Sequence, residues 1–554
     1  MSRPKEPSRV EKAVKRPTKK PGLTPKKWTI MVYMAGDNNL SEDMITGLKG
    51  MKELMGHSNI NLIALYDSNY PPVPVKIYEF SKASPGHSRA KDLDLSYFES
   101  PLSPLPRPAN PQLESYWIKS FVPLVTDHFP AEKYALILSG HSDGIIGKTL
   151  LRDENPNVVL DVPKLEKILY DARPFDAVSG RRKKFDLLGF DGCLMSMVEI
   201  GYELRNVANV MVASEGNIPT TGWPYEKVLA DLMGEPTMDE CKFAEKIVEQ
   251  YARHNVDYSI SGRSIDISAC NLNRARPLAA AIHVFGKRLY DLLSLVPFKE
   301  EKNNDDATVK SRLIREHFID CVLLAHYHSQ TFMHNQAVDL VDFVFNLILQ
   351  SLKRLTEQNY LNTQTLKDEN TQTLTHEVSL RIFKETEDLF GDFEQILAVL
   401  FSNDEGKDGE DASAGCLNRP YIISNCSTGA EYQFSRGASI FFPWSDMALE
   451  MIYGRYAEFK FNQNANWLNL IEKRLDLTRR TQYHIPFTPF GAKAGGGINL
   501  FDLNISLYHA LAHREHGGKE HGGKEHGGKG ELDAFYRYFS QFRNYDAEFF
   551  DKTC

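Results

Sequence analysis

The chain has 554 residues, of which 42% are hydrophobic and 25% charged, and its formal net charge is −8. This balance is typical of a globular protein with a sizeable core, and it excludes a wholly disordered or membrane-embedded chain. Because the net charge is small for this length, we expect neither nucleic acid nor a membrane as a partner.

The first 27 residues form a basic segment without apolar periodicity. They contain ten Lys and Arg residues against Glu6 and Glu11, and they lack the apolar core of a secretory signal. We therefore predict a disordered basic arm over residues 1–27. The missing signal favours a cytoplasmic location, with secretion as the alternative if an export signal has been lost.

Apolar runs alternate with helix-like segments through the first 216 residues, and capping residues at Ser41 to Asp43 mark the start of the first helix. This alternation is typical of βαβ units, so we predict an α/β fold with a mostly parallel central sheet covered on both faces. The predicted strands are 28–36, 61–68, 75–80, 134–140, 185–191 and 210–216, and the later helices are 116–126, 162–172 and 196–207.

The second half is more helical. We predict helices at 238–254, 274–295, 309–328, 337–355 and 447–475, with one strand at 437–443. We accordingly divide the chain into an α/β core at 28–260, a helical extension at 261–480 and a tail at 481–554 that contains three EHGGK repeats at 515–529. The repeats are glycine-rich and predict a flexible tether, and their histidines are not expected to form a metal site.

The seven cysteines are few and odd in number, and they form no CxxC pair. This pattern gives no zinc or redox site and favours a reducing compartment, so no metal or cofactor is expected. Cys270, Cys321 and Cys426 lie in apolar or helical surroundings and are predicted to be core residues. The others are Cys193, Cys241, Cys416 and Cys554.

Two reactive residues follow predicted strands in the same way. His141 comes after the run LILSG, and Cys193 comes after LLGFDG. Because parallel strands end at one edge of a sheet, these residues can meet across 52 positions of sequence. A thiolate attacks better than a thiol, and a neighbouring imidazole and the predicted helix near Leu194 to Ser196 would both favour it.

A lone cysteine near a strand end is more often structural than catalytic, so the residues alone leave both interpretations open. If the pair is catalytic, His141 would act as the acid and base. Backbone N–H groups at Cys193 and beside His141 would then stabilise the oxyanion.

Several segments taken together resemble the clostripain family of cysteine peptidases, which belongs to the same clan as caspases, gingipains and legumain. The match runs in order from about Lys27 to Leu475. The segments are WTIMVYMAGDNNL, SGHSDG, LLGFDGCLMSMVEIGYEL, ASEGNIPTTGWPY, YSISGRSIDIS, AVDLVDFV and GASIFFP.

This resemblance implies a caspase-like αβα sandwich in which residues 28–260 form the catalytic core and residues 261–480 complete the peptidase unit. It implies a Cys193–His141 dyad that cleaves protein or peptide substrates after Arg or Lys through an acyl-enzyme. Asp191 matches the acidic residue at the floor of the specificity pocket, where a carboxylate pairs with a basic side chain. A capping or turn role is the alternative for Asp191.

Two departures from the family pattern affect the site. Ser142 and Asp143 follow the histidine where glycine is common, so Ser142 could change the oxyanion turn. Thr220 and Thr221 stand where a second acidic residue is frequent, so Thr221 is a candidate substrate contact and specificity would depend mainly on Asp191. We expect Arg to be preferred over Lys, because the planar guanidinium group of Arg can donate two parallel hydrogen bonds to a carboxylate.

Family members often mature by cleavage between the histidine and cysteine strands. Here that interval contains Lys148, Arg152 and the run 181–184. The chain could therefore be a zymogen that is activated by self-processing or by another protease. Two other functions stay open from the sequence. They are a non-catalytic scaffold of the same fold and a transamidase that uses the same dyad.

Overall fold

The computed structural model describes residues 24–68, 75–81, 94–102, 116–145, 150–154, 157–176, 179–255, 263–296, 305–365, 369–403 and 416–480. The described residues up to Leu477 belong to one compact unit. A second unit, Thr478–Cys554, lies almost entirely outside the described residues. The predictions for the EHGGK repeats and for most of the basic arm therefore fall outside them too.

The described residues contain a central sheet of eight strands. The strands are β1 (Lys26–Gly36), β2 (Ile60–Ser68), β3 (Lys76–Glu79), β4 (Ala131–Ser139), β7 (Phe185–Asp191), β8 (Ala208–Ala213), β9 (Ile265–Asn271) and β12 (Ile422–Thr428). Their order across the sheet is β12-β9-β8-β7-β4-β1-β2-β3. The five central strands run parallel, whereas β3, β9 and β12 join in antiparallel fashion.

Helices cover both faces of this sheet because its central strands are apolar on both sides. The first-half helices are α1 (Ser41–Lys52), α2 (Tyr116–His128), α3 (Val162–Ala172), α4 (Val198–Leu204), α5 (Tyr225–Val228), α6 (Ala230–Gly234) and α7 (Glu240–His254). Met34 of β1 packs in one core with α1 and with α5 to α7, while Tyr33 packs on Phe121 of α2 on the opposite face. The predicted αβα sandwich with a mostly parallel sheet is confirmed.

The second half adds a helical layer, and two small sheets complete the described strands. Its helices are α8 (Ala275–Leu293), α9 (Asp306–His328), α10 (Leu340–Thr365), α11 (Glu369–Phe401), α12 (Asp446–Glu458), α13 (Lys460–Ala465) and α14 (Trp467–Arg480). One small sheet joins β10 (Thr331–Phe332), β11 (Ala337–Asp339) and β13 (Ser439–Phe441), and the other joins β5 (Leu150–Glu154) and β6 (Asn157–Leu160).

Several elements differ from the sequence prediction. The segment predicted as one helix at 447–475 is three helices, interrupted at Phe459 and at Asn466, which has a left-handed backbone. The segment predicted as a helix at 337–355 begins as strand β11. Strands β9 and β12 lie after residue 260 yet complete the central sheet.

Two of the cysteines form a disulfide, contrary to the expectation from a reducing compartment. Cys241 of α7 bonds to Cys416, with their Cα atoms 5.6 Å apart. Spacing along the chain could not reveal this pair, because 175 positions separate the two residues. The predicted core cysteines Cys270, Cys321 and Cys426 are buried and take no part in the disulfide.

Membrane spans and metal clusters can be judged only for the part of the chain that the structure describes. No helix there combines the length and apolar character needed to cross a bilayer. No cluster of three or more His, Cys, Asp and Glu side chains there is arranged to hold a metal ion.

Candidate active site

The candidate site lies at the carboxyl edge of the parallel strands, where register aligns three neighbouring residues. Met34 of β1 pairs with Ser139 of β4, and Ser139 pairs with Asp191 of β7. His141 lies two positions after Ser139, and Cys193 lies two positions after Asp191. All five residues line one cleft, which the loop 218–222 closes on another side. The structure thus brings together the two reactive residues and the carboxylate that the sequence singled out.

The turn that carries Cys193 is held in a strained backbone conformation. Leu194 has φ of 64°, which costs a residue with a Cβ about 1–2 kcal/mol. Two hydrogen bonds hold this turn: the Leu194 N–H donates to the Gly216 carbonyl at 2.9 Å, and the Ser142 hydroxyl donates to the Cys193 carbonyl at 2.6 Å. Strain of this kind is typical of positions that must present a side chain in one direction.

The thiol of Cys193 is not activated by a helix as the sequence suggested. Helix α4 begins only at Val198 and has seven residues, so its positive end does not lie at the nucleophile turn. Burial raises the pKa of the Cys193 thiol, and the carboxylates of Asp143 and Asp191 raise it further. The Ile218 N–H donates to Sγ at 3.4 Å and opposes this rise.

The imidazole of His141 has a partner that sequence reasoning missed. Its Nε2 lies 2.7 Å from Oδ1 of Asn39, in the turn between β1 and α1. An amide oxygen only accepts hydrogen bonds, so Nε2 carries the proton and Nδ1 is the nitrogen able to accept one. Asn39 could have been suspected because it follows β1, the strand beside β4, at the same edge of the sheet.

Asp191 is buried at the bottom of the cleft, with 4% of its surface exposed. Its Oδ1 accepts from the Trp223 N–H at 2.9 Å, while its Oδ2 accepts from the hydroxyls of Ser139 and Tyr225, both at 2.8 Å. Burial raises the pKa of Asp191 to about 6, although these three hydrogen bonds oppose the rise. The partners lie on the neighbouring strand β4, on the loop before α5 and at the first residue of α5, so Asp191 does not cap its own turn.

The other two predicted contacts occupy different positions. Ser142 is buried and uses its hydroxyl to fix the Cys193 carbonyl, and it does not line the cleft. Thr221 is exposed and lines the cleft beside Gly222. Of the two, only Thr221 is therefore placed where it can touch a bound ligand directly.

A buried carboxyl network anchors the loop that follows β8. Asp266 accepts from the N–H groups of Glu215 and Gly216, and Glu215 accepts from the Ser435 hydroxyl and the Gly437 N–H. The carboxyl group of Asp339 is buried as well, and it accepts from the N–H groups of Asp342 and Arg436. Burial and the neighbouring carboxylates raise the pKa of Glu215.

A sequence model of the clostripain family matches residues 32–473. The chain belongs to the clostripain family. Clostripain of Hathewaya histolytica is 28% identical over 219 residues, and the match covers 36% of this chain and 41% of that relative's length.

Solved structures also align with the chain at low identity. A secreted C11 cysteine protease of Bacteroides thetaiotaomicron is 17% identical, with a TM-score of 0.46 and coverage of 80% of this chain and 99% of that one. An inactive zymogen C11 protease of Parabacteroides distasonis is 16% identical, with a TM-score of 0.45 and the same coverage of both chains.

The interval between His141 and Cys193, where the resemblance predicts maturation, is partly outside the described residues. Lys148 lies outside the described residues, and Arg152 lies in β5 without a described side chain. The basic run at 181–184 is largely engaged by the fold. Arg182 donates to the Arg173 carbonyl, Lys183 pairs with Asp186, and Lys184 donates to Asn273.

Proposed function

We propose that the chain is a cysteine endopeptidase that cleaves peptide bonds after basic residues, with Cys193 as nucleophile and His141 as acid and base. The observation that carries this proposal is the shared cleft of Cys193, His141 and Asp191 at the carboxyl edge of the sheet. Membership of the clostripain family supports it. Protein or peptide substrates follow from this chemistry.

The raised pKa of Cys193 makes proton transfer part of the attack. At rest the thiol keeps its proton, so Nδ1 of His141 must take the proton as Sγ bonds to the scissile carbonyl carbon. The C–N bond then breaks, and the imidazolium gives the same proton to the leaving amine. Water attacks the acyl-enzyme with His141 again as base, which restores the thiol and releases the carboxylic acid.

The cleft matches the two parts of a basic side chain. Met34 and Met44 line its wall and can pack on methylene groups, while the carboxylate of Asp191 lies at the bottom. A desolvated ion pair at that depth excludes neutral side chains of similar size, because Asp191 would then be left without a cation. Basic specificity therefore depends on ionised Asp191.

A panel of fluorogenic peptides tests both parts of the proposal. We expect turnover of reporters with Arg or Lys before the cut, complete loss in Cys193→Ala, and selective loss of basic reporters in Asp191→Asn. Cys426→Ala is the matched control, because it removes a buried thiol that lies outside both the disulfide and the cleft. If fully processed wild-type protein cleaves no basic reporter, the proposed specificity is wrong. If Cys193→Ala remains active, the proposed role of Cys193 as nucleophile is wrong. Added amines would reveal any transamidase activity.

We also propose activation by cleavage between His141 and Cys193. Strand β5 in this interval is attached to the catalytic turn, since the Leu151 N–H donates to the His141 carbonyl at 2.8 Å. A cut nearby would loosen that tie and alter the turn. Mass spectrometry of wild type and Cys193→Ala distinguishes the routes. Processing in wild type alone indicates self-cleavage, processing of both indicates an activating protease, and processing of neither contradicts the proposal.

The cysteines also bear on where the protein is located. The sequence favoured the cytoplasm, but the Cys241–Cys416 disulfide supports the secreted alternative, because disulfides persist in oxidising compartments. Cell fractionation with detection of the mature chain tests this choice.

A further inference from the structure

We propose that the specificity pocket prefers lysine over arginine before the cut, and that Tyr225 and Ser139 set this preference by occupying one oxygen of Asp191. The inference rests on the proposed function, because it refines the basic specificity of the same site. It reverses the preference expected from the sequence, which considered the carboxylate without its partners.

The first step is the accepting capacity of Asp191. A carboxylate oxygen accepts about two hydrogen bonds. Oδ2 already accepts two, from the hydroxyls of Ser139 and Tyr225, whereas Oδ1 accepts one, from the Trp223 N–H. One acceptor position therefore remains, and it lies on Oδ1.

The second step is the geometry of the two basic side chains. A guanidinium binds a carboxylate best through two parallel hydrogen bonds, one to each oxygen, and the filled Oδ2 prevents this. An ammonium group is a point charge that needs only one such bond. Arginine would bring five N–H donors against one acceptor position, while lysine brings three. The nearby side chains of Met34 and Met44 offer no strong acceptor for the excess donors.

The third step is that Tyr225 cannot readily move aside. Its side chain is 1% exposed. Gly47 of α1 packs against the ring so closely that a Cβ there would lie 3.2 Å from Cε2. Gly222 covers the carboxylate, since a Cβ there would lie 2.8 Å from Oδ2 of Asp191, and its φ of 67° suits glycine. The hydroxyl is therefore held against Oδ2 before any ligand arrives.

The fourth step is that the Tyr225 hydroxyl stays a donor. Burial and the adjacent carboxylate raise the pKa of Tyr225 well above its ordinary value. The phenol remains protonated across the pH range in which a cysteine peptidase works. Tyr225 is thus a specificity-determining residue that acts through Asp191.

The test uses peptide reporters identical except for Lys or Arg before the cut. We expect wild type to favour the Lys reporter by roughly tenfold in kcat/KM, the factor that corresponds to one net hydrogen bond. In Tyr225→Phe and Ser139→Ala an acceptor position on Oδ2 becomes available. The Lys-to-Arg ratio should then fall severalfold, mainly through a lower KM for the Arg reporter.

Tyr456→Phe is the matched control. Its buried hydroxyl also donates to a buried carboxylate, that of Glu199, at a distance of 2.9 Å, and this pair lies away from the cleft. It should leave the ratio unchanged. Equal or better turnover of the Arg reporter by wild type overturns the inference, as does a ratio that both cleft variants leave intact. Failure of wild type to cleave either reporter is a different result, which removes the proposed function itself.

Discussion

The contact between Asn39 and His141 fixes which imidazole nitrogen can serve the nucleophile. Without the Asn39 carbonyl oxygen, nothing in that contact would hold the proton on Nε2. Asn39→Ala should therefore lower kcat roughly ten- to hundredfold through misorientation of His141, with little change in KM. The dependence of kcat/KM on pH should shift as well, which loss of packing alone would not cause.

The control for Asn39 is Asn59→Ala, an exposed asparagine just before β2, away from the cleft. Steady-state kinetics on one basic reporter would compare the two variants with wild type. A fall in activity of similar size in both, or an unchanged pH profile in Asn39→Ala, would contradict a positioning role.

Asp191 should impose an acid limit on basic substrates. Its pKa of about 6 means that the free protein loses the pocket charge below this pH. We expect kcat/KM for a Lys reporter to fall up to tenfold per pH unit below about 6. In the complex, the bound ammonium stabilises the carboxylate, so the acid limit of kcat should lie at a lower pH.

Alkylation of Cys193 by iodoacetamide provides the comparison, since it needs no charge in the pocket. Its pH dependence should follow the thiol and lack the step near 6. An acid limit that persists unchanged in Asp191→Asn would assign the titration to another group.

The sequence could indicate Cys193 and His141 because each follows a predicted strand, and it could indicate Asp191 through the resemblance to the clostripain family. It could not indicate Ser139 or Tyr225 as partners of Asp191. Ser139 becomes a neighbour only through the β4–β7 register, and Tyr225 reaches the carboxylate from the first residue of α5. Polar side chains at such positions have no periodic pattern that would mark their contacts.

At the scale of elements, the loop after β8 is held by buried carboxyl groups whose pKa values are raised. Burial raises the pKa of Glu215 well above its ordinary value of 4.5. The folded state thus binds more protons than the unfolded chain as pH rises from about 4.5 through the raised pKa. Consequently the free energy of unfolding falls across that window and stays lower above it.

Glu215→Gln should remove this loss. The amide oxygen can still accept from Ser435 and Gly437, and the neutral side chain carries no charge for burial and the carboxylate of Asp339 to oppose. We expect a melting temperature close to wild type at pH 5 and above wild type at pH 8. Calorimetry at pH 5 and pH 8 measures the melting temperatures, with Glu132→Gln as the control at an exposed carboxylate. A variant that is less stable at pH 8 would show that ionised Glu215 is needed.

The elements that the sequence missed share a physical cause. Strand β12 has the sequence IISNCST, whose polar second half gives little apolar periodicity, and its place in the sheet depends on pairing with β9, far away in sequence. The segment at 447–475 keeps helical periodicity through the breaks at Phe459 and Asn466, so its pattern predicts one helix. By contrast, α3 and β7 match their predicted bounds because both are short, apolar and clearly delimited.

At the scale of the whole molecule, the two halves of the sequence build one sheet. The α/β core predicted at 28–260 omits β9 and β12, although β9 pairs with β8 and β12 pairs with β9. The strongly helical composition of the second half concealed these two strands.

The disulfide joins α7 to the segment before β12 and thereby links the two halves covalently. It closes a loop of 175 positions between buried partners, Cys241 and Cys416. A cross-link of that span restricts the unfolded chain strongly, and its loss should lower the free energy of unfolding by roughly 2–5 kcal/mol. We expect a reducing agent to lower the melting temperature of wild type and to leave the Cys241→Ser/Cys416→Ser double variant unchanged.

Peptide mapping without reduction should recover the Cys241 and Cys416 peptides as one linked species from protein made in an oxidising compartment. Cys270→Ser is the control, because it alters a buried thiol but leaves the bond intact. Two separate alkylated peptides from such protein, with no effect of reductant on melting, would restore the expectation of a reducing compartment. The same result would withdraw the support that the bond gives to secretion.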